Sequence, residues 1–251
     1  MAFSWSIRRQ LLYYAVASLL ALLIGFALWQ IFFTHTPTCQ DGIKNGKEAG
    51  VDCGGTCALV CKEATRPPVV LWSRAFRNSP NTYTLAAYVQ NNNPGAGARH
   101  VGYTFQLFDA KNSLIIAHEG AADIPPVSIV PIIDPSVDVG NRVVARSIFS
   151  FSEIPSWDTV PKNAIPTLRI AGQELSQDGS RLSVKIENTS ADDMGRLTVA
   201  AVLFGPQGIA LAASKSTLPG IAAKTSQDVV FTWANGVPGV SRAEITLLPS
   251  F

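Results

Sequence analysis

Outside residues 39–61 this chain has no cysteine, and its three histidines stand apart from one another. His118 is followed by Glu119, but no second histidine completes H-E-x-x-H, which excludes the helical zinc-hydrolase arrangement. Neither G-x-S-x-G nor G-x(4)-G-K-[ST] occurs, so the nucleophile elbow and the phosphate-cradling loop are both missing. "GAGARH", from Gly95, opens like a dinucleotide-binding turn. It has His100 where the third glycine belongs, and a strand pattern follows instead of a helix. Charged residues make up 15% of the chain, against about 25% in an ordinary soluble domain. The basic residues are scattered, with no run of five or six, and the formal net charge is +2, so no nucleic-acid partner is expected. No catalytic residue, no enzymatic activity and no cofactor is expected.

What is present begins with an apolar block. "LLYYAVASLLALLIGFALWQIFF", Leu11–Phe33, carries no charge. As a helix rising 1.5 Å per residue it is roughly 35 Å long, enough for a hydrocarbon core of about 30 Å. Tyr13, Tyr14 and Trp29 fall near its ends, where amphipathic rings favour the headgroup zone. Arg8 and Arg9 precede the block, and the positive-inside bias then puts residues 1–10 in the cytoplasm and the bulk of the chain outside. A cleaved signal peptide has a shorter apolar region and small residues after it. This block ends in bulky "LWQIFF", so an uncleaved signal anchor at 11–33 is expected, with the lipid bilayer as its partner.

Residues 34–68 follow as a juxtamembrane segment that holds Cys39, Cys53, Cys57 and Cys61. In an export compartment an even set of thiols becomes oxidised, and a segment too small for a core needs crosslinks. Two disulfides are expected, with three connectivities open. Zinc fits poorly, because Cys53, Cys57 and Cys61 are each separated by three residues and form no paired knuckle. Calcium is the other candidate, through the oxygen ligands of Asp41, Asn45, Glu48 and Asp52, although they do not match an EF-hand loop. The same residues beside glycine are also plain turn formers. The segment, "CQDGIKNGKEAGVDCGGTCALVC", resembles a short cysteine-rich motif that recurs beside other domains in exported proteins. The resemblance implies a disulfide-linked module and no activity.

Past the linker "KEATRPP" the chain turns to short runs rich in Val, Ile, Thr and aromatics, broken by Asn, Gly, Pro and Asp, which is an all-β pattern. Strands are expected near Val69–Arg77, Tyr83–Gln90, Arg99–Phe108, Leu114–His118, Val127–Ile133 and Arg142–Phe149. In "HVGYTFQLFD", Val101, Tyr103, Phe105 and Leu107 share one face by period-two alternation and should be core. The order then repeats: Val89-Gln90-Asn91 corresponds to Ile186-Glu187-Asn188, and Leu107-Phe108 to Leu203-Phe204. A repeat of about 95 residues means duplicated domains rather than a solenoid. Two sandwiches are expected, 69–160 and 161–251, with the boundary inside "SWDTVPKNAIP". Phe105-Gln106-Leu107-Phe108-Asp109 resembles the signature of FxLYD domains, with Phe108 in place of Tyr. The second copy, Ala201-Val202-Leu203-Phe204-Gly205, has lost both the Phe and the Asp. The resemblance implies immunoglobulin-like sandwiches in an exported protein.

The expected fold is therefore all-β, two tandem immunoglobulin-like sandwiches after one transmembrane helix. The expected function is non-catalytic: display of the sandwiches outside the membrane for adhesion or envelope scaffolding, with a protein partner there. The alternative is an accessory subunit of a secretion or pilus assembly, contacted through Ala17, Ala21 and Gly25 on one helix face. A third reading places a ligand or catalytic site between the sandwiches. Candidate contact loops are Asn91, Asn92 and Asn93 in the first copy and Asp192 and Asp193 in the second. The sequence does not set the oligomeric state.

Overall fold

The structure is a computed structural model and describes residues 5–33, 37–126, 129–161 and 165–251. Two units emerge, Met1–Gly55 and Thr56–Phe251.

The first unit contains α1, Trp5–Phe33, a helix of 29 residues that takes in the whole expected apolar block and reaches back through Arg8 and Arg9. From Arg9 to Gln30 it is long and apolar enough to cross a membrane. Its side chains from Leu11 to Gln30 are exposed. Residues 37–55 form turns, with one isolated bridge between Gly50 and Cys53.

The second unit is all-β. In its first half, β1 (Val69–Arg77), β2 (Thr82–Gln90) and β5 (Ile129–Asp138) make one antiparallel sheet in the order β1-β2-β5. The facing sheet is β4-β3-β6, from β3 (Ala96–Phe108), β4 (Leu114–Ile124) and β6 (Arg146–Phe151). A short β7, Asp158–Thr159, pairs with the first residues of β3. The second half repeats this with β8 (Leu168–Leu175), β9 (Arg181–Asn188) and β12 (Ser226–Thr232) in one sheet. Its partner sheet holds β10 (Leu197–Phe204), β11 (Ala210–Leu218) and β13 (Arg242–Pro249), in the order β11-β10-β13.

The strand expected at Val69–Arg77 has those bounds, and the one expected at Leu114–His118 runs on to Ile124. The strand expected from Arg142 starts later, at Arg146. Residues 127–128, at the start of another expected strand, and residues 162–164, inside the expected domain boundary, lie outside the described residues. Val101, Tyr103, Phe105 and Leu107 are all buried, as period-two alternation demands.

The duplication is visible in the backbone. A bulge interrupts the ladder between Leu107 and Phe108, and another lies between Leu203 and Phe204. The Asp109 N–H donates to Ser113 O in the first hairpin, and the Gly205 N–H donates to Ile209 O in the second. The Ala145 N–H closes on Phe108 O as the Ser241 N–H closes on Phe204 O. The hairpin turn expected at Asp109–Ser113 is held further by the Asp109 carboxylate, which accepts the N–H groups of Lys111 and Ser113.

Each sandwich has its own core. The first is built around Leu85, Phe105, Leu107 and Trp157, the second around Leu182, Val184, Leu203 and Phe231. A third cluster joins them. Ala86, Tyr88 and Ile133, on the outer face of the β1-β2-β5 sheet, meet Ala200, Val202, Phe204, Ala210 and Ala213 on the outer face of β11-β10-β13. The four sheets thus form a stack with three apolar layers. β2 and β10 are its inner strands and are buried on both faces. Alanines at 86, 200 and 213 let the backbones approach, and the rings of Trp72, Tyr88 and Phe204 fill the remaining space.

The chain enters the first sandwich alongside its own exit. The Val60 N–H donates to Trp157 O at 2.8 Å, and the Thr159 N–H to Ala58 O at 2.7 Å. The last part of the expected 34–68 segment is therefore sewn to the sandwich, with the Trp157 side chain buried beneath it.

Candidate functional site

The four residues singled out as calcium ligands do converge; the carboxylates of Asp41, Glu48 and Asp52 hold backbone, while Asn45 Oδ1 is buried without a hydrogen-bond partner among the described residues. The Asp52 carboxylate accepts the Asp41 N–H at 3.0 Å and the Gly42 N–H at 2.9 Å. The Asp41 carboxylate accepts the N–H groups of Thr38 and Ile43 and the side-chain amide of Asn45. Glu48 accepts the N–H groups of Asn45 and Asp52. These carboxylates replace the sheet or helix that the turns lack. Gly55 has φ +64, and a Cβ there would lie 1.8 Å from Lys47 O, so only glycine fits. All four cysteines, Cys39, Cys53, Cys57 and Cys61, are disulfide-bonded, which leaves no thiolate for a metal. Thiol titration of the denatured, unreduced protein is accordingly expected to find no free thiol, and four after reduction. Reduction is also expected to loosen residues 37–55 more than the sandwiches, because the segment has no strand or helix of its own.

The expected contact loops are built differently from open binding loops. Asn91 is buried, and its side-chain amide donates to Ala96 O and Pro125 O while its oxygen accepts the Asn93 N–H. Asn188 repeats this in the second copy, donating to Asp192 O and Ile221 O and accepting the Ser190 N–H. Asn93 is also buried and exchanges two hydrogen bonds with the backbone of Arg66. Asn92 is half-buried, and Asp192 and Asp193 are exposed, with Asp193 accepting the Ala223 N–H. Asn91 and Asn188 are thus paired internal fasteners, which explains why the repeat keeps them.

A cluster of titratable groups lies at the seam between the sandwiches. Asp134, on β5, accepts the Tyr103 hydroxyl at 2.8 Å. His118 Nε2 is 3.2 Å from the same carboxylate, and Lys215 Nζ, from the second sandwich, is 3.5 Å from it. His118 sits opposite Phe105 across the β3–β4 ladder and faces inward at the sheet edge. Gly120 makes room for this cluster, since a Cβ there would lie 2.5 Å from the Tyr103 ring. Burial, with the Asp134 carboxylate second, pushes the Tyr103 phenol well above its ordinary value. A cleft of about 230 Å³ opens beside the cluster, lined by Tyr103, Arg196, Thr198, Lys215 and Leu248 among others. Asp134 therefore ties both sandwiches to one anion. No serine, cysteine or threonine among these contacts stands against a base in the way a nucleophile requires.

A second tie crosses the interface. The Tyr88 hydroxyl donates to Glu244 at 3.3 Å, and the Tyr88 ring stacks on Trp72 at 4.5 Å and meets Phe204 edge-on at 6.1 Å. The Arg242 guanidinium covers the Phe204 ring at 4.0 Å. Burial first, then the Glu244 carboxylate, pushes the Tyr88 phenol well above its ordinary value. A phenol raised in the folded state adds stability that is intact below the unfolded value near 10 and is lost as pH rises through the folded value. Alkaline titration is therefore expected to part the sandwiches beyond the ordinary tyrosine range, and Tyr88→Phe to remove part of that step. Phenolate absorbance read together with Trp72 fluorescence checks this.

No protein-family model and no curated protein sequence matches the chain. Several solved structures align with it at low similarity. A calcium-binding mutant of Bacteroides uniformis β-glucuronidase 2 aligns at 12% identity and a TM-score of 0.24, over 70% of this chain and 26% of the enzyme. Red sea bream transglutaminase aligns at 9% and 0.22, over 71% of this chain and 29% of that one. The calcium-binding domain CBD12 of CALX1.1 aligns at 10% and 0.18, over 59% and 68%. The chain thus spans little more than a quarter of each of these two enzymes.

Proposed function

We propose that this chain is a single-pass membrane protein that holds its paired sandwiches outside the cytoplasm as a stiff, non-catalytic body for contact with another protein, in adhesion or envelope scaffolding. The observation that carries the reading is the apolar layer shared by β2 and β10, which joins two domains into one stack instead of leaving a hinge. The exposed apolar helix and the two disulfides supply the anchor and the oxidising side. Both sandwiches are assigned on this reading to the FxLYD type. Phe105 and Leu107 fit it as core residues and Asp109 as the turn former. Residues 1–10 lie in the cytoplasm on this reading.

Protease added to intact cells tests it. Loss of a C-terminal tag with protection of an N-terminal one, and retention of the chain in membranes after carbonate washing, is the expected result. A protected C-terminal tag, or release by carbonate, defeats it. The accessory-subunit reading uses the same topology and rests on Ala17, Ala21 and Gly25, all exposed along one side of α1. Migration of the chain in a larger native complex that breaks when Ala21 becomes leucine would favour it.

A further inference from the structure

The contact between the sandwiches is heterologous: the β1-β2-β5 face of the first copy meets the β11-β10-β13 face of the second. By the repeat, the second copy's buried face corresponds to the β4-β3-β6 face of the first. At its centre, Phe204 pairs with Arg242 across the ladder and lies under its guanidinium, with the Tyr88 ring against it. The first copy has the same element. Phe108 pairs with Arg146 in the same register, and the guanidinium covers the ring at 4.8 Å. The same bulge precedes both phenylalanines. The element therefore occurs twice and is covered once. Around Phe108 the face carries Thr104 and Gln106, both half-buried, and Leu114 and Ile148, exposed at 49% and 38%, with Arg146 and the exposed Glu119 opposite Thr104 as its charges.

The opposite end of the stack is different. The outer face of β12-β9-β8 carries Arg169, Arg181, Lys185, Glu187 and Asp228, with Lys185 at the place Tyr88 holds in the first copy. Such a face suits water and resists further stacking, as the polar caps of repeat arrays do. A second copy of this chain cannot offer its Tyr88 surface, which is occupied, and its other aromatic sheet face, around Phe108, is flanked by Thr104 and Gln106 where Tyr88 is flanked by Ala86.

We propose that the β4-β3-β6 face of the first sandwich is a docking surface for a sheet face of a different β-sandwich protein. That partner would present an aromatic side chain, flanked by small ones, to Phe108 and Arg146 as Tyr88 is presented to Phe204 and Arg242. The proposal rests on the packing of the sandwiches and names the partner surface left open by the reading above.

The test places a photo-crosslinking residue at position 106, and separately at position 185, in the full chain in its native membranes. Capture at 106 several-fold above 185, with the adduct mapped to a sheet face of another protein, is the expected result. Phe108→Ala and, independently, Arg146→Glu should each lower capture by about tenfold, as loss of a buried anchor does. Unchanged Trp72 fluorescence in these variants shows that the stack itself is intact. Equal capture at 106 and 185, an adduct on a second copy of the chain or on a helix, or capture indifferent to Arg146→Glu overturns the proposal. The protease assay on the same membranes separates such a failure from a failure of the topology.

Discussion

Replacing Ala200 with arginine is expected to uncouple the two sandwiches. Ala200 is 1% exposed and lies on the outer face of β10, against the outer face of β2. The larger side chain overpacks the layer at a cost of roughly 1–3 kcal/mol, and an unpaired charge there adds several more. The variant can escape this penalty by separating the sheets, because position 200 faces away from the second sandwich's own core. The loss is therefore capped by the strength of the interface, and the signature is a change in cooperativity. Denaturant unfolding of the native protein should move Trp72 at the interface, Trp157 in the first sandwich and Trp233 in the second through one transition. In Ala200→Arg the first and second sandwiches should unfold separately, with Trp72 exposed before either. A single, coincident transition in the variant would show that the shared layer contributes little.

Trp157→Ala is expected to have the largest effect within one sandwich. The side chain is 2% exposed in the first core, and truncating a buried tryptophan costs about 3–5 kcal/mol. Its backbone also accepts the Val60 N–H, so the strip Ala58–Val60 should loosen as well. Two measurements check this: a lowered unfolding midpoint for the first sandwich with the second nearly unchanged, and faster amide exchange at Val60. Loss confined to the second sandwich would contradict the assignment of Trp157 to the first core.

These expectations depend on features the sequence shows unevenly. The strands of each core are legible because alternation in "HVGYTFQLFD" needs only neighbouring residues, and Val101 to Leu107 are buried accordingly. The shared layer has a sequence signal too. "TYTLAAYVQ" is apolar without a break from Leu85 to Val89 and "LTVAAVLF" from Val199 to Phe204, and a strand apolar on both sides is one covered on both sides. That the covering element is the other repeat is a matter of tertiary packing. Asn91 and Asn188 look like turn residues on a loop, yet the carbonyls that bury them, Pro125 and Ile221, lie 34 and 33 residues away. The Asp134 cluster is out of reach for the same reason. Tyr103, His118, Asp134 and Lys215 come from four strands and have no common spacing. The acidic residues of the cysteine segment are legible as a group, but turn-forming and metal-binding oxygens share one composition. Only the N–H groups donated to Asp41, Glu48 and Asp52 reveal what these carboxylates hold.

The ladder between Ala58–Val60 and Trp157–Thr159 has a mechanical meaning. The entering and leaving strands are antiparallel, and Ala58 lies beside Thr159. Cys61 is bonded to a cysteine earlier in the chain, so tension arriving from the N-terminal side passes through that disulfide and skips the strip Ala58–Val60. The ladder is thus kept off the load path, and the tether gives no slack before the sheets carry strain. Reduction puts the strip back on the path, where it and its partner are pulled from the same end and their bonds open one after another, as a zipper does. In single-molecule extension a small early step should therefore appear in the reduced protein and not in the oxidised one. A small early step in the oxidised protein would rule this out.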